Sequence, residues 1–168
     1  MTYKEQFNKD GYLSNIKVFD EFQSSSLTTS LQNTISQYDI LNNEYRCKSH
    51  MLFKWVDELA HNPIIINIVK ELIGNDIICL DTMFWGKDPG TQQFVSFHQD
   101  GYYWNIEKPV DGVIVWVPFQ DTDDINGTIQ YLKGSHTDFV KHTDIKNDLN
   151  KLRRGQTIDI SKLSFPIV

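Results

Sequence analysis

Cysteine is scarce in this sequence: Cys47 and Cys79 are the two present among 168 residues. Two thiols without metal-type spacing exclude a disulfide framework and a zinc-finger module, and they suit a reducing compartment. Basic charge is also short, with 16 Lys and Arg against 22 Asp and Glu, a formal charge of -6 and a pI near 5.2. No electropositive footprint for nucleic acid or an anionic membrane is present. Long apolar runs are missing too. The greasiest stretch, Val113 to Phe119, contains Pro118 and is too short to span a bilayer. The opening Met1-Thr2-Tyr3-Lys4-Glu5-Gln6 has no apolar core, so no signal peptide is expected. There is no repeat, low-complexity tract or Pro/Gly-rich linker, and the length suits one domain with a real core. The expectation is a cytoplasmic, globular protein of ordinary composition, except that aromatics reach 12%.

The first part, residues 1–75, reads as mainly helical. Tyr3 to Lys9 is a short polar segment punctuated by Asp10-Gly11. Tyr12 to Phe19 alternates well enough for a short strand. Leu27, Leu31 and Ile35 form a helical stripe within Ser24 to Tyr38. Asn62-Pro63 supplies an N-cap and a first-turn proline for a helix through Leu72 and Ile73, stopped by Gly74-Asn75. From residue 76 to 168 the character changes. Ile77 to Trp85, Phe94 to Trp104, Gly112 to Phe119 and Thr128 to Leu132 are rich in β-branched and aromatic residues, separated by turn clusters at 86–90, 108–111 and Asn126-Gly127. This predicts an α+β chain, one domain over 1–168, with N-terminal helices packed on a partial jelly-roll core. The Val113 to Val117 run is apolar on both faces, so burial on both sides is expected.

The informative stretch is Phe94-Val95-Ser96-Phe97-His98-Gln99-Asp100-Gly101-Tyr102-Tyr103-Trp104. On a strand, side chains alternate, so His98 and Asp100 share a face, and Tyr102 and Trp104 follow on it as candidate pocket walls or core residues. An imidazole nitrogen and a carboxylate oxygen so placed can share one metal ion. A second His from elsewhere would complete a facial triad with open positions for oxygen and a bidentate co-substrate. His-x-Asp alone is common, and a surface His beside a carboxylate is the competing reading.

Several ordered motifs together resemble the phytanoyl-CoA dioxygenase family over nearly the whole chain. They are Phe7-Asn8-Lys9-Asp10-Gly11-Tyr12-Leu13, Asn62-Pro63 through Gly74, Phe84-Trp85-Gly86-Lys87, Phe97 to Trp104, Val115-Trp116-Val117-Pro118-Phe119, Asp121 to Gly127 and Leu132-Lys133-Gly134-Ser135-His136. The last is similar to a Pro-Gly-Ser-His signature, with Lys133 in the proline's place. The resemblance implies a double-stranded β-helix of the cupin-like kind, an oxygenase dependent on iron(II) and 2-oxoglutarate, and a small-molecule substrate. It implies His98 and Asp100 as Fe(II) ligands and Trp116 as an aromatic against the co-substrate; a plain core tryptophan is the competing reading. Lys87 could reach an anionic carboxylate, or be simply a solvated turn lysine. His136 is expected to shape a turn and bind no iron. Related halogenases carry a small residue where Asp100 stands, so hydroxylation is favoured over halogenation.

The family pattern also calls for a second metal His beyond the Gly-Ser-His turn, and an Arg beyond that for 2-oxoglutarate. Neither is found in matching context, and the expectation is a chain that stops short of the distal strands. His142 stands eleven positions before Arg153, which mimics the required spacing, but its polar surroundings do not suit a pocket-facing strand. A core missing strands leaves sheet edges open, which predicts a symmetric dimer. Two other readings compete: a non-catalytic domain of the same fold, and a cupin-like metal or sugar binder, for which no His-x-His cluster is present.

Overall fold

The computed structural model describes residues 1–42, 44–104, 112–152 and 156–168, apart from the side chains of Tyr103 and Trp104. In chain order it contains α1 (Tyr3–Asp10), α2 (Glu21–Tyr38), α3 (Lys54–Ala60), α4 (Pro63–Ile73), the single turn α5 (Gly101–Trp104), β1 (Thr143–Asp144) and β2 (Gln156–Thr157). The chain divides into two compact units. One comprises Met1–Leu13, Lys87–Asp111 and Ile129–Val168; the other comprises Ser14–Gly86 and Gly112–Thr128.

In the second unit, local signals set the helix ends. Asp20 and Gln23 form a reciprocal capping box at the start of α2. Asn62 Oδ1 accepts from the Ile64 and Ile65 amides at 2.9 and 3.3 Å, Pro63 takes the first turn, and Gly74 ends α4 at φ 102°. The Leu31 and Ile35 stripe packs against a core of Ile40, Val56 and Phe84, joined by Phe53, Trp55 and Phe119. The Trp55 and Phe119 rings meet edge to face at 6.0 Å and 87°. Trp55 Nε1–H donates to Thr34 Oγ1 at 3.1 Å, which satisfies the indole's one polar group inside that core.

The first unit is held by backbone pairing and polar contacts. Thr2 and Glu5 cap α1 reciprocally, and Gly11 closes it in the left-handed region at φ 83°. The end of α1 then grips the Lys133–His136 turn. Gly134 N–H donates to Asp10 O at 2.8 Å, Lys133 Nζ pairs with Asp10 Oδ2 at 3.2 Å, and His136 Nε2–H donates to Asn8 O at 3.2 Å. Lys133, where the family signature has proline, therefore neutralises a buried carboxylate. His136 ties that turn to α1. Tyr131 and Val168 exchange both backbone hydrogen bonds at 2.9 Å, and β1 pairs antiparallel with β2.

The β-rich expectation is met only in part. Among the described residues the regular sheet is the two-stranded β1–β2 pair, with isolated bridges at Cys47–Met83, Phe94–Asn150 and Leu132–Ile167, so no jelly-roll core is formed by them. Segment 12–19 is irregular, with Asn15 at φ 58°. Residues 112–119 find no strand partner among the described residues, and Ile114, Val115 and Trp116 stay 60, 49 and 41% exposed rather than buried on both faces. An apolar pattern marks a segment that can be covered; pairing needs a neighbour to satisfy its backbone. Gly101 to Trp104 turn as helix, begun by Tyr102 N–H donating to Gln99 O at 3.0 Å, so the two-residue period of a strand does not continue through this segment. The turn cluster at 108–111 lies outside the described residues. No described helix is long and apolar enough to cross a membrane.

Candidate metal centre

His98 lies in an irregular segment that is pinned from two directions and that enters a turn at Asp100. Phe94 N–H donates to Leu149 O at 3.0 Å and Lys151 N–H to Phe94 O at 2.8 Å; further on, Ile158 N–H donates to Phe97 O at 3.0 Å. Between these points the buried Ser96 hydroxyl donates to Gln156 O at 2.6 Å and accepts from Asn150 Nδ2 at 2.9 Å. The side chains of residues 98 and 100 emerge on one side, with His98 Nε2 3.2 Å from Asp100 Oδ1. His98 Nδ1–H donates to Ser96 O at 2.7 Å, which leaves Nε2 as the nitrogen turned toward the carboxylate.

This pair fits one divalent ion. Two donors each roughly 2.1 Å from a metal and about 90° apart lie about 3 Å from each other, close to the observed separation. The Ser96 carbonyl plays the part of an outer partner that fixes the ring's tautomer and orientation. A second His–Asp pair shows what does not fit. His61 Nδ1 stands 3.2 Å from Asp57 Oδ1 on α3, but the same nitrogen also bonds the Asp57 carbonyl at 2.9 Å, so its lone pair is not presented. No group of three His, Cys, Asp or Glu able to hold a metal occurs among the described residues.

His142 is nearer the pair than its polar neighbours in sequence suggested. It is buried, at 6% exposure, immediately before β1. Its Nε2 accepts from Gln99 N–H at 3.0 Å, and its Nδ1–H donates to Val140 O at 2.9 Å. Tyr102 stacks on the ring at 4.1 Å. The sequence pointed to His142 only through its spacing to Arg153, and its polar neighbours argued against a place beside the pair. Of the other anticipated residues, Lys87 is exposed in the same unit, while Trp116 belongs to the other unit. Arg153 lies outside the described residues, as does the Trp104 side chain.

The two histidines titrate in opposite senses. Burial of His98 opposes its protonation, but the hydrogen bond to Asp100, the Ser96 carbonyl and the Asp100 charge outweigh it, so its pKa is raised. Burial dominates at His142 and the nearby His98 adds to it, overriding the Val140 carbonyl, so its pKa is lowered. A raised folded-state pKa gives stability that is present below the ordinary histidine value and lost as pH rises through the raised one. The depressed His142 gives stability that is present above the ordinary value and lost as pH falls through the lowered one. Ring-nitrogen NMR should show His98 titrating at higher pH than His142, and Asp100→Asn should move His98 downward. The reverse order would contradict these environments.

A family model for phytanoyl-CoA dioxygenase matches residues 19–160. The chain belongs to that family. Over 90 residues it is 35% identical to phytanoyl-CoA dioxygenase domain-containing protein 1 of Danio rerio, a match covering 53% of this chain and 30% of that protein. The chain thus matches less than a third of that relative's length. No solved structure matches it. The phytanoyl-CoA dioxygenase family is one of iron(II)- and 2-oxoglutarate-dependent oxygenases, and its match spans the segment that carries His98 and Asp100.

Proposed function

We propose that this chain acts in an iron(II)- and 2-oxoglutarate-dependent dioxygenase that hydroxylates a small organic substrate, with residues 1–168 as one domain and His98 and Asp100 as two metal ligands. The observation that carries the reading is the 3.2 Å approach of His98 Nε2 to Asp100 Oδ1 with the other ring nitrogen tied to Ser96 O. Iron with 2-oxoglutarate supplies oxygen activation; the protein's part is to bind, orient and shield. His98 offers a neutral nitrogen once its proton is lost, and Asp100 offers charge that favours a cation at the same point. Asp100 also occupies the position that halide would need, which favours hydroxylation. Lys87 is proposed to reach the carboxylate of the co-substrate.

A second reading, a non-catalytic domain of the same family that serves as a binding module, is favoured by the lack of a third ligand among the described residues. Succinate release from 2-oxoglutarate under oxygen separates the two. With two protein ligands the first reading expects weak iron binding and slow, metal-dependent turnover. Succinate formation unchanged by removal of iron would overturn it.

A further inference from the structure

Gln99, the residue between the two proposed ligands, is held at its backbone N–H and at both polar atoms of its carboxamide by the segment from Ser135 to His142. Its carboxamide nitrogen donates to Asp138 O at 2.8 Å and to Ser135 O at 3.3 Å, and its carboxamide oxygen accepts from Val140 N–H at 2.8 Å. Its backbone N–H donates to His142 Nε2. We propose that His142 is a positioning residue for the metal centre: it fixes the His98–Gln99–Asp100 backbone through the Gln99 amide and is not itself a ligand. The inference rests on the metal-binding reading of His98 and Asp100.

Three observations carry it. The Val140 carbonyl can only accept, so His142 Nδ1 bears the proton and Nε2 is left as an acceptor, which the Gln99 amide occupies. A metal at Nε2 would strand that amide against a buried ring. Tyr102 covers the ring face at an interplanar angle of 22°, so the imidazole is held flat against the turn that begins at Gly101. The same ring thereby ties together the residue between the ligands and the turn that follows them. The N–H that His142 holds belongs to the peptide joining His98 to Gln99, so a tilt of that plane changes ψ of His98 and φ of Gln99 and, through them, the separation of His98 Nε2 and Asp100 Oδ1. Sequence spacing alone makes His142 a rival third ligand; its hydrogen bonds assign it the other role.

The test uses the whole chain and two variants. His142→Phe keeps a flat ring beneath Tyr102 but has no acceptor, whereas His142→Gln returns an amide oxygen near the position of Nε2. The first readout requires no metal. Amide hydrogen exchange at Gln99 should speed up at least about tenfold in the Phe variant and stay within about threefold of native in the Gln variant, with Tyr131 and Lys151 unchanged in both. The second readout is Mn(II) affinity by electron paramagnetic resonance: a roughly 10–100-fold loss for Phe, as for removal of an outer partner, and near-native binding for Gln. Equal acceleration at Gln99, Tyr131 and Lys151 would mean a merely structural histidine. Loss of Mn(II) binding in the Gln variant as complete as in His98→Ala would make His142 a ligand. Either result overturns the proposal. Failure of the native chain to bind Mn(II) at all overturns the metal-centre reading, and the positioning role falls with it.

Discussion

Replacing Asp100 by alanine should lower divalent-metal affinity by at least about 100-fold, since loss of even an outer partner costs roughly 10–100-fold and Asp100 is proposed as a direct ligand. The carboxylate supplies one of two protein donors and the negative charge at the site. Its removal leaves a lone imidazole, which binds a divalent ion little better than free imidazole does. The fold should tolerate the change, because Asp100 is 45% exposed at its side chain and its partner His98 keeps the Ser96 bond. The control is Asp57→Ala, which breaks a His–Asp pair of the same 3.2 Å length on α3 and should leave metal binding unchanged. Mn(II) titration followed by electron paramagnetic resonance reads both. Equal losses in the two variants would mean that neither pair is a metal site.

The largest stability effect is expected at Gly11. It closes α1 at φ 83°, where a side chain is strained in any surroundings. A Cβ there would also stand 2.5 Å from His136 Nδ1 and 2.9 Å from its Cγ. The imidazole cannot swing away cheaply, because its Nε2–H is bonded to Asn8 O and its ring leans on Phe7 at 6.3 Å. Gly11→Ala should therefore cost about 2–4 kcal/mol, the sum of a left-handed backbone and an overpacked contact. Thermal denaturation followed by circular dichroism measures it. Gly90→Ala is the comparison: it shares a positive φ of 73° but meets nothing within 4 Å, so it should cost only the backbone share, about 1 kcal/mol. Similar losses at both glycines would show that the His136 contact is not formed.

What the sequence made legible was local chemistry. Asn62, Pro63 and Gly74 mark both ends of α4 because capping is decided within a turn of the helix end. The Leu31 and Ile35 stripe is readable for the same reason. Helix α3 was not, since Phe53 at its N-cap makes no side-chain cap and its seven residues are too few for a clear period. The β pattern misled where it had to stand for pairing: Ile114 and Trp116 alternate as a buried strand would, yet a ladder depends on residues far along the chain. His98 and Asp100 are close enough in sequence to meet, but the strand expected to align them is absent: Asp100 stands in a turn, and the two side chains approach to 3.2 Å there. His142 was not legible, because its role comes from a hydrogen bond to Gln99 across 43 positions, between segments whose approach no local signal encodes.

The central claim is that His98 and Asp100 hold iron so that 2-oxoglutarate can bind beside them. Anaerobic titration of the native chain with Fe(II) and 2-oxoglutarate, monitored by the visible charge-transfer absorption of the chelate, tests it most directly. A weak, saturable band that requires both additions and disappears in His98→Ala and Asp100→Ala is expected. A band of equal strength in the variants, or none in the native chain at any Fe(II) concentration, would contradict it.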